Sequence, residues 1–212
     1  MTKFGTIDAI MRMAPVIPVL VIDDASYAKP IAEALVKGGL RVLEVTLRTA
    51  AALDVIREMS TVEGAIVGAG TVLNEADLSA SIDAGAQFIV SPGLTEPLGK
   101  AAIASGIPFL PGTANAGDIM RGLDLGLNRF KFFPAEAAGG LKALKALAGP
   151  FGNVRFCPTG GITQATAPDW LAEDAVLCVG GSWIVGPNNF KGGAPDVAAI
   201  EAAARAASAL KG

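Results

Sequence analysis

The chain has 212 residues, 51% of them hydrophobic and 17% charged, and a formal net charge of -3. That is too apolar for a disordered chain and long enough for a large core. The absence of histidine excludes a Ser-His-Asp triad and imidazole-based zinc sites, and no Lys/Arg stripe interleaved with aromatics supports nucleic-acid binding.

Met1-Thr2-Lys3-Phe4-Gly5 runs without a signal-peptide pattern into an amphipathic helix at about 5–13. The strand expectations that follow are Val16–Ile22, Arg41–Leu47, Ala65–Gly68, Phe88–Ser91, Pro108–Pro111, Arg129–Phe133, Val154–Pro158 and Ala175–Val179. Helices are expected between them at Ser26–Lys37, Ala50–Met59, Glu75–Ala84, Glu96–Ala104, Ala116–Leu125, Leu141–Leu147 and Gln164–Leu171, with a last one at about Asp196–Leu210. Asn74 and Thr95 stand where N-caps belong, and glycines follow helix ends at Gly38-Gly39, Gly85 and Gly106. Strands apolar on both faces and separated by helices imply a parallel sheet.

Roughly eight such units predict one (β/α)8 TIM barrel over residues 1–212, with an extra N-terminal helix. A doubly wound open sheet is the other topology this pattern permits. No apolar run approaches the roughly 18–20 residues of a membrane span. Cys157 and Cys178, each inside an apolar strand, read as buried reduced thiols and fit a soluble, cytoplasmic protein.

A barrel places its chemistry at the C-terminal ends of its strands, with phosphate held after the seventh and eighth. In the second strand Leu43, Val45 and Leu47 share one face, and Glu44, Thr46 and Arg48 share the other, inward one. These polar residues read either as a site or as a structural Glu–Arg pair. In the sixth strand Arg129, Lys131 and Phe133 share a face, with Phe133 covering Lys131 near the top. A lysine inside an apolar strand must be paired, exposed or held as a neutral amine, and the neutral amine attacks ketones to give a Schiff base. A lumen salt bridge to Glu44 and a nucleophile made neutral by burial beside Arg48 both fit the pattern.

Thr159-Gly160-Gly161 after the seventh strand and Gly180-Gly181-Ser182-Trp183 after the eighth could present backbone N–H groups to a phosphate, or could simply be tight turns. Further strand ends carry Gly68-Ala69-Gly70-Thr71, Ser91-Pro92-Gly93 and Pro111-Gly112-Thr113. Asp23-Asp24 reads as a helix-capping turn, and no metal site is expected.

Together Val42-Leu43-Glu44-Val45-Thr46-Leu47-Arg48, Gly68-Ala69-Gly70-Thr71-Val72, Ser91-Pro92-Gly93, Phe130-Lys131-Phe132-Phe133-Pro134-Ala135-Glu136, Phe156-Cys157-Pro158-Thr159-Gly160-Gly161-Ile162 and Gly180-Gly181-Ser182-Trp183 resemble the 2-keto-3-deoxy-6-phosphogluconate (KDPG) aldolases of the Entner–Doudoroff pathway, from about residue 5 to 210. The resemblance implies a metal-independent, cofactor-free class I aldolase, usually a homotrimer, that splits KDPG into pyruvate and glyceraldehyde 3-phosphate. Carried over, Lys131 forms the Schiff base and Glu44 is the general acid/base. Arg48, Thr71, Pro92, Phe133 and Thr159 surround the pyruvate part, and Gly160, Gly161, Gly180, Gly181 and Ser182 hold the phosphate. The resemblance departs at Ala14-Pro15-Val16, where many related aldolases carry an arginine. The competing functions are cleavage of 4-hydroxy-2-oxoglutarate or of the galactonate epimer, a phosphosugar isomerase or synthase, and a non-catalytic binding barrel.

Overall fold

The computed structural model describes residues 5–210. In order, its barrel elements are α1 (Ile7–Met11), β1 (Val16–Leu20), α2 (Ala28–Lys37), β2 (Val42–Thr46), α3 (Ala52–Met59), β3 (Ile66–Gly70), α4 (Glu75–Asp83), β4 (Phe88–Val90), α5 (Glu96–Ser105), β5 (Phe109–Leu110), β6 (Gly112–Thr113), α6 (Ala116–Asp124), β7 (Arg129–Phe132), α7 (Gly140–Ala148), β8 (Arg155–Pro158), α8 (Ala167–Leu171) and β9 (Val179–Gly181). A short antiparallel hairpin, β10 (Phe190–Lys191) and β11 (Ala194–Pro195), then leads into α9 (Val197–Ser208).

One parallel sheet runs β5-β4-β3-β2-β1-β9 and another runs β6-β7-β8. β5 and β6 are two halves of the fifth wall strand, interrupted at Pro111, which has no N–H for the ladder. Bridges from Phe156 to Val176 and from Thr159 to Gly180 join β8 to β9 and close the wall. The expected barrel is therefore present, and the open doubly wound sheet is not.

Strand alternation sorts the side chains as expected. Leu43, Val45, Val67, Ile89, Phe130, Phe132 and Phe156 pack outward among the helices. Val42, Ile66, Phe88, Val90, Leu110, Cys157 and Cys178 fill the lumen. Ile10 and Met11 of α1 join that inner cluster, so the N-terminal helix is the floor of the barrel. The floor is pinned electrostatically: Asp8 accepts from Arg129 Nε at 2.5 Å and from Arg12 Nε at 2.8 Å. The Arg12 bond holds the Asp8 carboxyl below its ordinary range against the opposing effect of burial, and Arg129 adds to it. A lowered folded-state value means stability that is present above the unfolded value and lost as pH falls through the folded one. Asp8→Asn should therefore lower the thermal midpoint at neutral pH, and the deficit should close as pH falls below 3.8. Paired melting curves across that range test it; a deficit constant with pH would sink the assignment.

The caps read from the sequence are in place. Asn74 Oδ1 accepts from the Asp77 amide and Thr95 Oγ1 from the Leu98 amide, while Gly106 takes the left-handed position after α5. Asp24 accepts from the Ser26 amide and starts a short 3-10 turn ahead of α2, as a capping residue should.

Several boundaries moved. β3 extends past the expected end at Gly68 to Gly70, so Gly70 lies inside the strand and not after it. The eighth wall strand begins at Val179, later than the expected Ala175, which places Gly180 and Gly181 within it, paired with Ile17 and Pro18. The expected helix from Gln164 begins at Ala167, after a turn in which Thr163 and Thr166 exchange hydrogen bonds.

Candidate active site

Lys131 and Glu44 reach towards each other across the lumen from β7 and β2. Lys131 Nζ donates to Glu44 Oε1 at 3.0 Å, and the two side chains are 7% and 4% exposed. The bare ion pair allowed by the sequence is thus present, and it puts an amine and a carboxylate in direct contact. Burial in a low-dielectric lumen strengthens such a pair relative to one in water. The Phe133 ring lies with its centroid 5.2 Å from Nζ, within cation–π range, and roofs the amine as expected.

Glycines make the room. A Cβ at Gly70 would stand 2.3 Å from Glu44 Oε1, and one at Gly68 would stand 2.4 Å from the Phe88 ring. Gly70 therefore gives the carboxylate its place, and Gly68 lets Phe88 lie across the lumen. Gly112, which pairs in register with Lys131, passes so close to the Pro92 carbonyl that a Cβ would sit 2.1 Å from it. This brings the Ser91-Pro92-Gly93 turn beside the lysine strand, where Ser91 Oγ donates to the Gly93 carbonyl at 2.6 Å.

Thr159 is 5% exposed, and its hydroxyl occupies the space that a Cβ on Gly180 would need. Thr46, on the inward face with Glu44, instead spends its hydroxyl on the Leu20 carbonyl at 2.8 Å and ties β2 to β1. Arg48 is exposed at the mouth and makes no hydrogen bond or ion pair with the described residues, so the Glu–Arg pair considered from the sequence does not form.

Thr71 follows β3 with φ +60°, the one described non-glycine residue at positive φ. A β-branched residue in this region carries strain of about 1–2 kcal/mol. Thr71→Gly should consequently raise stability by about 1 kcal/mol. Thermal denaturation would read it; a fall in stability would refute the strain argument.

Gly160 and Gly161 have φ +105° and +82°, a conformation open to glycine. The N–H groups of Gly161 and Ile162 donate to no acceptor among the described residues, while the Gly160 amide faces β9 in the Thr159–Gly180 bridge. Successive unpaired amides of this kind form a concave anion cradle. Ser182 is exposed directly after β9. Gly180 and Gly181, read from the sequence as loop residues, contribute chiefly by what they lack: Gly180 clears Thr159, and Gly181 clears the Trp183 ring by a margin that a Cβ would close to 2.3 Å.

A cavity of about 590 Å³, lined by Val19, Asp23, Tyr27, Ser182 and Phe190 among others, adjoins this corner. The departure at Ala14-Pro15-Val16 lies at the opposite, closed end of β1: Ala14 is buried and the Pro15 carbonyl accepts from Val179.

Residues 7–203 match the family model described as KDPG and KHG aldolase. A 2-dehydro-3-deoxy-phosphogluconate aldolase of Zymomonas mobilis is 62% identical over 97% of this chain and 96% of its own length. The KHG/KDPG aldolase of Escherichia coli is 56% identical over 88% of each chain. Among solved structures, a KDPG aldolase from Legionella pneumophila with pyruvate captured as a covalent carbinolamine superposes with a TM-score of 0.92 at 43% identity, covering 97% of this chain and 99% of that one. The barrel, the buried lysine–carboxylate pair and these likenesses agree: the chain belongs to the KDPG and KHG aldolase family.

Proposed function

We propose that this chain is a class I aldolase that cleaves KDPG to pyruvate and D-glyceraldehyde 3-phosphate, with Lys131 as nucleophile and Glu44 as its single proton carrier. The observation that carries the reading is the buried 3.0 Å contact between Lys131 Nζ and Glu44 Oε1.

Transfer of a proton from Lys131 to Glu44 within the pair leaves an amine that adds to the C2 ketone. Glu44 returns the proton as the carbinolamine loses water, giving a protonated imine. Its carboxylate then takes the C4 hydroxyl proton, the C3–C4 bond breaks, and the electron pair flows into the imine to form an enamine. After the aldehyde leaves, Glu44 protonates C3, and hydrolysis releases pyruvate. The iminium is the electron sink, so this sequence calls for neither metal nor cofactor. With no histidine in the chain, a carboxylate already in contact with the amine is the natural carrier.

Arg48 can bind the substrate carboxylate as a fork because no other group occupies it. Thr71, Pro92, Phe133 and Thr159 enclose the pyruvate end. The Gly160-Gly161 loop and Ser182 bind the phosphate through the free amides that follow Gly160 and a hydroxyl, with Gly180 and Gly181 keeping space. Phosphate binding far from the reacting bond orients the substrate for cleavage.

The name of the E. coli relative, at 56% identity, favours a second activity on 4-hydroxy-2-oxoglutarate. The resemblance further supports a homotrimer, which sedimentation would read directly. No described helix is long and apolar enough to cross a membrane. The two buried free thiols, Cys157 and Cys178, suit a reducing cytoplasm.

Borohydride reduction in the presence of pyruvate, followed by peptide mass mapping, tests the mechanism. A stable adduct on Lys131 is the expected result, and turnover without any adduct would remove it. Comparing cleavage of KDPG, its C4 epimer and 4-hydroxy-2-oxoglutarate then fixes the substrate; equal rates on the two epimers would overturn the narrow assignment.

A further inference from the structure

The loop after β7 and the loop after β8 are joined by more than strand pairing. The Ala135 amide donates to the Thr159 carbonyl at 2.8 Å, and the Glu136 amide donates to the Gly160 carbonyl at 3.0 Å. Both carbonyls are thereby turned towards the lysine strand, and the next amides along that loop are left free of protein partners. Glu136 then does something its backbone does not require. Its Oε1 accepts from the indole Nε1 of Trp170 at 3.2 Å. Trp170 is 2% exposed and lies on α8, the helix that the Gly160-Gly161 loop leads into. The stem of Glu136 also lies against Gly161, where a Cβ would come within 2.7 Å of it. One side chain thus touches both ends of the glycine loop, from the loop that follows the strand carrying Lys131.

We infer that Glu136 is a positioning residue for the phosphate: its carboxylate, anchored on Trp170, fixes the Gly160-Gly161 loop and the free amides that follow Gly160 relative to Lys131. This rests on the phosphate assignment made above. A buried indole N–H needs an acceptor, and supplying it from the lysine loop couples the position of the phosphate cradle to the position of the nucleophile. Glu136 touches neither substrate nor reacting atoms, and its effect should be confined to substrates that carry phosphate. The hydrogen bond, rather than the charge, is what positions the loop, so an amide at this place should serve equally well.

The test uses the full chain and three variants. Glu136→Ala should raise KM for KDPG about tenfold, as loss of a bond to a charged acceptor does, with kcat changed less than about twofold. Exchange of the pyruvate methyl protons, which involves no phosphate, should stay at the wild-type rate. Glu136→Gln, whose amide oxygen still accepts from the indole, should restore KM. Trp170→Phe, which keeps an aromatic ring but removes the donor, should reproduce the alanine phenotype if Glu136→Ala proves too unstable to assay. An unchanged KM in the alanine variant, or a proportional loss of pyruvate exchange, would overturn the inference. The phosphate assignment itself is judged separately on wild-type enzyme: equal KM for phosphorylated and unphosphorylated 2-keto-3-deoxygluconate would overturn it, whatever Glu136 does.

Discussion

Lys131→Met is expected to reduce cleavage by on the order of 10⁵-fold in kcat, because the covalent route disappears with the amine and no neighbouring group can replace it. Methionine matches the length of the lysine stem, so the apolar contacts survive while the charge does not. Glu44 is then left 3% exposed with no counter-ion, and breaking one side of a buried pair costs about 3–5 kcal/mol. Adding Glu44→Gln should recover much of that stability and none of the activity. This divergence separates the two readings that the sequence left open. A purely structural ion pair predicts that activity follows stability through the cycle; a nucleophile predicts that it stays absent. Pyruvate release in a coupled assay and thermal melting of all the variants give the answer.

Glu44→Gln alone should lower kcat by about 10²–10⁴-fold, the range for loss of a positioned acid/base. Its defect should be of a different kind. The imine with pyruvate should still form and be trapped by borohydride on Lys131, whereas exchange of the methyl protons into deuterated water should slow by a similar factor. Proton NMR of the pyruvate methyl signal follows this directly. Exchange at the wild-type rate would mean that another group or a water carries the proton. The shape complementarity between Gly70 and the carboxylate, with a prospective Cβ 2.3 Å from Oε1, supports a carboxylate held in one place and not one free to swing.

The lumen was legible because alternation is a strict rule in a strand. Glu44 and Lys131 fell on the inward face from parity alone, and the outward placement of Leu43 and Val45 followed from the same count. Arg48 obeyed that parity but lies beyond the last residue of β2, where the strand no longer dictates direction, so its side chain stands free at the mouth. Strand ends were harder to read where glycine occurs. Gly70, Gly180 and Gly181 read as turn residues in the sequence because glycine usually punctuates; in this barrel they are strand residues, and with Gly68 they yield space to Glu44, Thr159, Trp183 and Phe88. The Phe190–Pro195 hairpin left no periodic signal, since each arm has 2 residues. Its Gly192-Gly193 turn, with φ +58° and +85°, was the one available cue. Whether Lys131 was an ion pair or a nucleophile could not be decided by spacing, because both need the same two residues in the same places.

The floor built by α1 has a kinetic consequence. With Ile10 and Met11 fully buried beneath the packed lumen and Asp8 latched to Arg129, the barrel is closed below Lys131, and access is from the mouth alone. On the proposed mechanism the ketone carbon reaches furthest in to meet Lys131, and the aldehyde fragment rests nearer the mouth. Departure is therefore a queue: the aldehyde goes first and pyruvate last. In the condensation direction pyruvate must arrive first, and excess aldehyde can occupy the mouth ahead of it.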